Sequence, residues 1–216
     1  MKTVPVEPAP QGREVDDDLS QRLQVFEQLL LKWQPKMNLV APSTLRSIRT
    51  RHIEDSLQVS DVLPDAGRWI DLGSGAGFPG IVTALRLRAR DGALVHLVES
   101  DHRKCAFLRD VSRETQAPIE VHRGRIEEIL PTLPEVDAIS ARALASMGVL
   151  VEMTIERLEK GVVAVFLKGQ DVGSELTKMP IYSSLKLRLV ASRTDPLGRI
   201  VVLGRTDQGQ TGGVGQ

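Results

Sequence analysis

From residue 68 onward the chain alternates short apolar runs with longer amphipathic stretches. Arg68-Leu72, Leu94-Glu99, Ile119-Arg123, Asp137-Ala141 and Val162-Leu167 are continuous enough in apolar residues to be strands covered on both faces. The segments between them are long enough for crossover helices, so the pattern predicts a mostly parallel, doubly wound α/β sheet. Lys186-Ala191 and Arg199-Leu203 are joined by a connection too short for a helix. They are expected to form an antiparallel hairpin at the C-terminal end.

Before the sheet, Leu19, Leu23, Phe26, Leu30 and Trp33 recur at helical spacing, with acidic residues 16–18 at the start and Pro35 expected to end the helix. A second helix is expected around Leu45-Leu63. Residues 1–15 are rich in proline and polar side chains, and residues 205–216 in Gly, Gln and Thr; both are expected to be disordered tails. The expected organisation is therefore a helical cap over 16–64 and a catalytic domain over 65–204.

The densest local signal is Trp69-Ile70-Asp71-Leu72-Gly73-Ser74-Gly75-Ala76-Gly77-Phe78-Pro79-Gly80. It reads as a buried strand, an acidic position, a glycine-rich turn and a helix opening at Ile81. Glycine lets backbone approach a ligand closely, and the spacing is neither G-x-G-x-x-G nor a phosphate-binding P-loop. The loop has no basic residue, and Asp71 adds negative charge. This disfavours a polyphosphate and favours a ligand bearing an amine or sulfonium, which S-adenosylmethionine carries.

In open α/β sheets the ligand lies beyond the carboxyl ends of the strands. Asp71, Gly73, Gly75, Gly77 and Phe78 follow the first sheet strand, and Glu99 ends the second, where a carboxylate can accept hydrogen bonds from ribose hydroxyls. Ile126 and Glu127 follow the third, with Ile126 the candidate to flank adenine. Arg142 ends the fourth within Ser140-Ala141-Arg142-Ala143 and is a candidate for the methionine carboxylate or for substrate; Lys168 adds a cation after the fifth.

Five segments together resemble the bacterial small-subunit rRNA guanine-N7 methyltransferase G family, also called glucose-inhibited division protein B. They are Lys36-Met37-Asn38-Leu39-Val40-Ala41, Arg51-His52-Ile53-Glu54-Asp55-Ser56, the Asp71-to-Gly80 loop, Ser140-Ala141-Arg142-Ala143 and Leu167-Lys168-Gly169, and the likeness spans about residues 19–204. The resemblance implies a Rossmann-like class I S-adenosylmethionine-dependent methyltransferase acting on N7 of a guanine in the 530 loop of 16S rRNA. By position it places Gly73, Phe78, Ile126, Glu127 and Arg142 on the cofactor, and Arg51, His52 and Lys168 toward RNA.

Guanine N7 has a free lone pair and no proton, so alignment rather than a general base is the expected source of rate. No side chain is assigned as a base; Arg142 and Lys168 are the candidates for contact with the reacting groups. The alternative is a class I methyltransferase acting on a small molecule or protein, which has no use for a basic cap. Lys plus Arg and Asp plus Glu balance at 28 each, so attraction to 16S rRNA or the small ribosomal subunit must be local. Arg46, Arg49, Arg51, Arg103 and Lys104 are the expected phosphate contacts.

Cys105 is the sole cysteine and is expected to be a core thiol. The four histidines show no metal-binding spacing, so no metal is expected, and His96 and His122 are read as structural. With no long apolar run and no secretion signal, a cytoplasmic monomer without membrane contact is the expectation.

Overall fold

The computed structural model describes residues 4–178 and 184–206. An eight-stranded sheet has the order β1-β7-β8-β6-β5-β2-β3-β4. Its parallel part comprises β2 (Arg68–Leu72), β3 (Leu94–Glu99), β4 (Ile119–Arg123), β5 (Ala138–Arg142) and β6 (Val163–Lys168). The hairpin of β7 (Leu185–Ala191) and β8 (Arg199–Arg205) is antiparallel and joins the sheet through β6. Strand order reverses between β2 and β5, so a crevice opens beyond the ends of those two strands.

Strand alternation divides the core between the faces. Trp69, Val95 and Leu97 pack on one side with Phe26, Phe107 and Ile81; Ile70, Leu72, Val98 and Phe166 pack on the other with Leu150 and Leu158. The first side carries α1 (Asp17–Met37), α2 (Asp55–Val62), α3 (Gly80–Leu87) and α4 (His102–Thr115). The second carries α5 (Ile126–Ile129) and α6 (Met147–Glu159), followed in the chain by α7 (Val172–Lys178).

The cap departs from its sequence reading in two places. Helix α1 does not stop at Pro35 but runs to Met37, where Asn38 takes a left-handed conformation (φ 52°) and its amide bonds the Gln34 carbonyl at 2.9 Å. A proline so near the end removes only the bond to the Leu31 carbonyl, and Leu31 is exposed to water. The single helix expected over Leu45-Leu63 is instead a 3₁₀ turn at Pro42–Ser47, a wide π-type turn at Arg49–Glu54, and then α2. The changes of winding aim His52 inward while Ile48 and Ile53 remain buried.

The segment expected to be an N-terminal tail is also partly built in. Val6–Glu7 form β1, parallel to β7, and the Glu7 carboxylate accepts from Arg188 Nε at 3.1 Å on each oxygen and from its Nη2 at 2.7 Å. Arg13 and Arg193 both reach the buried carboxylate of Asp61, at 3.3 and 2.6 Å. Arg205, assigned to the C-terminal tail, is the last residue of β8; the tail beyond residue 206 lies outside the described residues.

Candidate functional site

The glycine turn joins β2 to α3. Gly73, Gly75 and Gly77 all have positive φ, at 64°, 55° and 89°, which explains why side-chain-bearing residues are absent there. The Gly77 amide bonds the Ser74 carbonyl at 2.7 Å, and the Ser74 amide bonds Val98 at 3.1 Å, pinning the turn to β3. A Cβ built on Gly75 meets only the Gly73 carbonyl, at 3.7 Å. The outer side of the loop is therefore bare backbone open to a ligand.

Glu99 stands at that opening. Its Oε2 accepts from the Gly75 amide at 2.9 Å and its Oε1 from the Asp101 amide at 2.8 Å. Each oxygen keeps a lone pair for a ribose hydroxyl. The Gly124 amide bonds the Glu99 carbonyl at 3.1 Å, bringing the turn that leads to half-buried Ile126 and exposed Glu127 to the same rim. Bare backbone, a carboxylate and no cation within the loop fit a nucleoside carrying a positively charged group, and do not fit a pyrophosphate.

Asp71 is not at the rim. It is fully buried beneath the loop, with Oδ1 accepting from the Ser140 hydroxyl at 2.7 Å. Its Oδ2 lies against Gly80 without a hydrogen bond of ordinary geometry. Burial pushes its pKa up to about 6, against partial relief from Ser140, Ser74, the Gly80 amide and the charge of Arg142. A carboxyl raised from 3.8 favours the fold fully below about pH 3.8, and that contribution is lost as pH rises through about 6. Ionised Asp71 thus costs about 3 kcal/mol at neutral pH. Between pH 5 and 8 the protein is expected to lose on the order of 1 kcal/mol through this group. Asp71→Asn should remove that slope in thermal melts; an unchanged slope would place the titration elsewhere.

Phe78 is expected from the sequence at the cofactor. It is instead a buried hub. Phe26 of α1 and His52 of the cap each place a ring centroid 5.1 Å from its own, and the Arg142 guanidinium carbon lies 5.1 Å from the same centroid. No face is left free enough to stack a nucleobase, so Phe78 ties cap, loop and β5 together.

Arg142 is the centre of this junction. Its Nη2 donates to His52 Nδ1 at 2.7 Å, and its Nη1 reaches Asp55 at 3.5 Å and the Arg51 carbonyl at 3.3 Å. Because a guanidinium only donates, His52 Nδ1 must accept and the ring proton sits on Nε2, which bonds the Thr44 hydroxyl at 2.9 Å. Burial first, and then the charges of Arg142 and Arg51, lower the His52 pKa to about 4. His52 is therefore neutral at pH 7.

Lys168, expected as a further cation directed toward RNA, is nearly buried. Its ammonium bonds the Ala145 carbonyl at 2.9 Å and Glu175 at 2.7 Å, while Glu175 also accepts from the Met147 amide at 2.7 Å. The lysine clamps the chain after β5, where Ala143 takes a left-handed conformation (φ 51°) and Leu144 drops onto Gly73. Even so, Lys168, Arg142, Arg51 and His52 line one cavity of about 380 Å³ between the cap and the ends of β5, β6 and the β7-β8 hairpin.

The remaining candidates lie outside that cavity. Arg46 and Arg49 are exposed on the cap, and Arg103 is tied to the Lys36 carbonyl, with Lys104 beside it on α4. Cys105 is a buried free thiol bonding the Glu99 carbonyl at 3.3 Å. His96 and His122 come together across β3 and β4, with Nδ1 and Nε2 2.9 Å apart, which their separation in sequence conceals. Asp55, Thr44 and Thr194 were missed: Thr194 donates to Asp55 at 2.9 Å and so fixes the cap to the hairpin turn. Only the charged run Arg51-His52-Ile53-Glu54-Asp55 signalled the first of them.

A family profile described as rRNA small subunit methyltransferase G matches residues 19–192. A Bradyrhizobium sp. (strain BTAi1) protein named ribosomal RNA small subunit methyltransferase G is 48% identical over 190 residues, covering 88% of this chain and 86% of the relative. A protein of the same name from Methylorubrum extorquens (strain PA1) is 43% identical over 187 residues, covering 87% and 89%. Among solved structures, a tomaymycin-synthesis O-methyltransferase of Streptomyces achromogenes in complex with SAM is similar with TM-score 0.56 and 17% identity, over 89% of this chain and 91% of that one. The Bacillus cereus O-methyltransferase in complex with SAH gives TM-score 0.56 at 15% identity, over 88% and 91%. The fold is that of the class I S-adenosylmethionine-dependent methyltransferases.

Proposed function

The chain belongs to the rRNA small subunit methyltransferase G family, and on that premise we propose that it methylates N7 of a guanine in the 530 loop of 16S rRNA, using S-adenosylmethionine. The observation that carries the reading is the double position of Arg142. It ends β5 at the reversal of strand order beside the glycine loop, and it lines the cavity that also holds Arg51, His52 and Lys168. Donor crevice and substrate cavity thus share one wall.

Gly75, Glu99 and the Gly124 turn would hold S-adenosylmethionine, which supplies an electrophilic sulfonium methyl. The chain has then to align a nucleophile that needs no deprotonation. His52 suits that requirement: it is neutral, with Nδ1 and Nε2 both engaged, and so orients Arg142 rather than taking a proton. The Arg142 guanidinium, fixed by His52 and Asp55, positions the purine or its phosphate without rotamer freedom to lose. Lys168 acts by holding the 143–147 segment over Gly73 and so keeping water from the donor side. Exposed Arg51, Arg46 and Arg49 supply phosphate contacts on the cap side.

No helix among the described residues is long and apolar enough to cross a membrane. The balanced charge suits a partner read by shape, the small subunit or its precursor, approached by a monomer in the cytoplasm. Arg51→Glu is expected to weaken binding to small subunits about tenfold at moderate salt, with donor affinity unchanged. Equal loss of both in filter-binding and calorimetry would contradict the assignment. The proposal as a whole is tested by mass mapping of 16S rRNA from cells with and without the gene. Loss of one N7-methylguanosine supports it; an unchanged map with a methylated small molecule or protein would overturn it.

A further inference from the structure

We propose that His96, Glu120 and His122 form a site for one divalent transition-metal ion of the zinc type, apart from the methyl-transfer site. Strands β3 and β4 are parallel, with His96 in register with Glu120 and Val98 with His122. The two-residue period of a strand places all three side chains on one face of the sheet. They stand on the side opposite Val95 and Leu97, which face the α1–α4 layer.

The donor atoms converge. His96 Nδ1 and His122 Nε2 are 2.9 Å apart. Glu120 straddles the pair, with one oxygen 3.6 Å from His96 Nδ1 and the other 3.9 Å from His122 Nε2. Tetrahedral zinc with ligands at about 2.0–2.2 Å sets neighbouring donor atoms about 3.3–3.6 Å apart. The three separations bracket that range, so small side-chain rotations suffice to close the site. Two imidazoles and one carboxylate favour zinc and its neighbours over magnesium or calcium, which take oxygen.

An imidazole pair sharing one hydrogen bond is the plain alternative, with His96 the more deeply buried partner. The residue is 2% exposed, and its Nε2 has no hydrogen-bond partner. That orphan is present with or without an ion, so metal binding does not add its cost. Binding instead lets both facing nitrogens act as lone-pair donors at once. Access is open: β4 is the edge strand, Glu120 is 59% exposed and His122 19%. A fourth ligand position is left to water.

The consequence is local stiffening. Arg123, next after His122, is in register with Glu99, and the Gly124 turn follows. An ion here clips the edge strand to β3 immediately before the rim of the donor crevice.

The test uses the full chain, freed of metal with a chelator and titrated with zinc chloride by calorimetry and with cobalt chloride by visible absorption. The expected result is one equivalent bound, a tetrahedral cobalt spectrum, and a rise in Tm of roughly 5–11 °C at a hundredfold excess over Kd. Glu120→Gln should weaken zinc at least tenfold, and His122→Gln should abolish the cobalt spectrum. Both positions are at least partly exposed, so both variants are expected to fold, as circular dichroism will verify. Absence of saturable one-equivalent binding, or unchanged affinity in both variants, would overturn the proposal. Methyl transfer enters neither readout, so this result is independent of the proposed function.

Discussion

Gly80→Ala is expected to cost roughly 3 kcal/mol of stability, lowering Tm by roughly 6–12 °C for a domain of this size. A Cβ at position 80 would lie 2.4 Å from Leu97 Cδ2, 2.6 Å from Asp71 Oδ2 and 2.9 Å from Asp71 Cβ. Neither neighbour has room to retreat, since both are fully buried. The added methyl therefore presses on a carboxyl that already bears a desolvation penalty, or forces α3 away from β3. Gly75→Ala provides the contrast. Its Cβ meets only the Gly73 carbonyl, at an ordinary 3.7 Å, so the positive φ of 55° is what opposes it, at roughly 1–2 kcal/mol. That variant should keep most of its stability yet bind S-adenosylmethionine at least tenfold more weakly, because its methyl occupies the ligand side of the loop. Paired melts and calorimetry decide the matter; similar losses of Tm and affinity in both variants would mean the loop has been misread.

Much of this arrangement was legible in the chain, and the failures share a cause. Buried parallel strands announce themselves as short apolar runs, so β2, β3 and β4 have the boundaries expected of them, and the short connection after Ala191 predicted the hairpin. Glycine spacing separated the loop from dinucleotide and P-loop turns. Sequence could not show which polar groups are turned inward. Lys168 and Phe78 carry the residue types of ligand contacts, but one meets Glu175 of the helix that follows it and the other Phe26 and His52, both far back along the chain. The N-terminal segment has too few apolar residues to fold by itself; the open edge of β7 supplies the pairing it lacks. His96 and His122 differ by 26 positions, and only strand register makes them neighbours.

Arg142→Ala is expected to reduce single-turnover methylation of small subunits by roughly a hundredfold or more, a loss of about 3 kcal/mol or more in transition-state stabilisation. The fold should survive, because Asp55 keeps the hydrogen bond from the Thr194 hydroxyl at 2.9 Å and is not left without a donor. What disappears is a charged group that touches cap, glycine loop and cavity together: the 2.7 Å bond to His52 Nδ1, the contact with the Phe78 ring, and the donor at the cavity wall. Arg142→Lys should recover little. An ammonium lacks the planar fork that serves His52 and Asp55 at once while lying over a ring. His52→Gln separates positioning from contact: its amide oxygen can still accept from Arg142, so activity should fall less than in Arg142→Ala, with most of the change in kcat. If Arg142→Lys restores full rate, or if Arg142→Ala loses only donor affinity, then the guanidinium holds S-adenosylmethionine alone. The wall shared by donor and purine would then have to be sought among the other residues of the cavity.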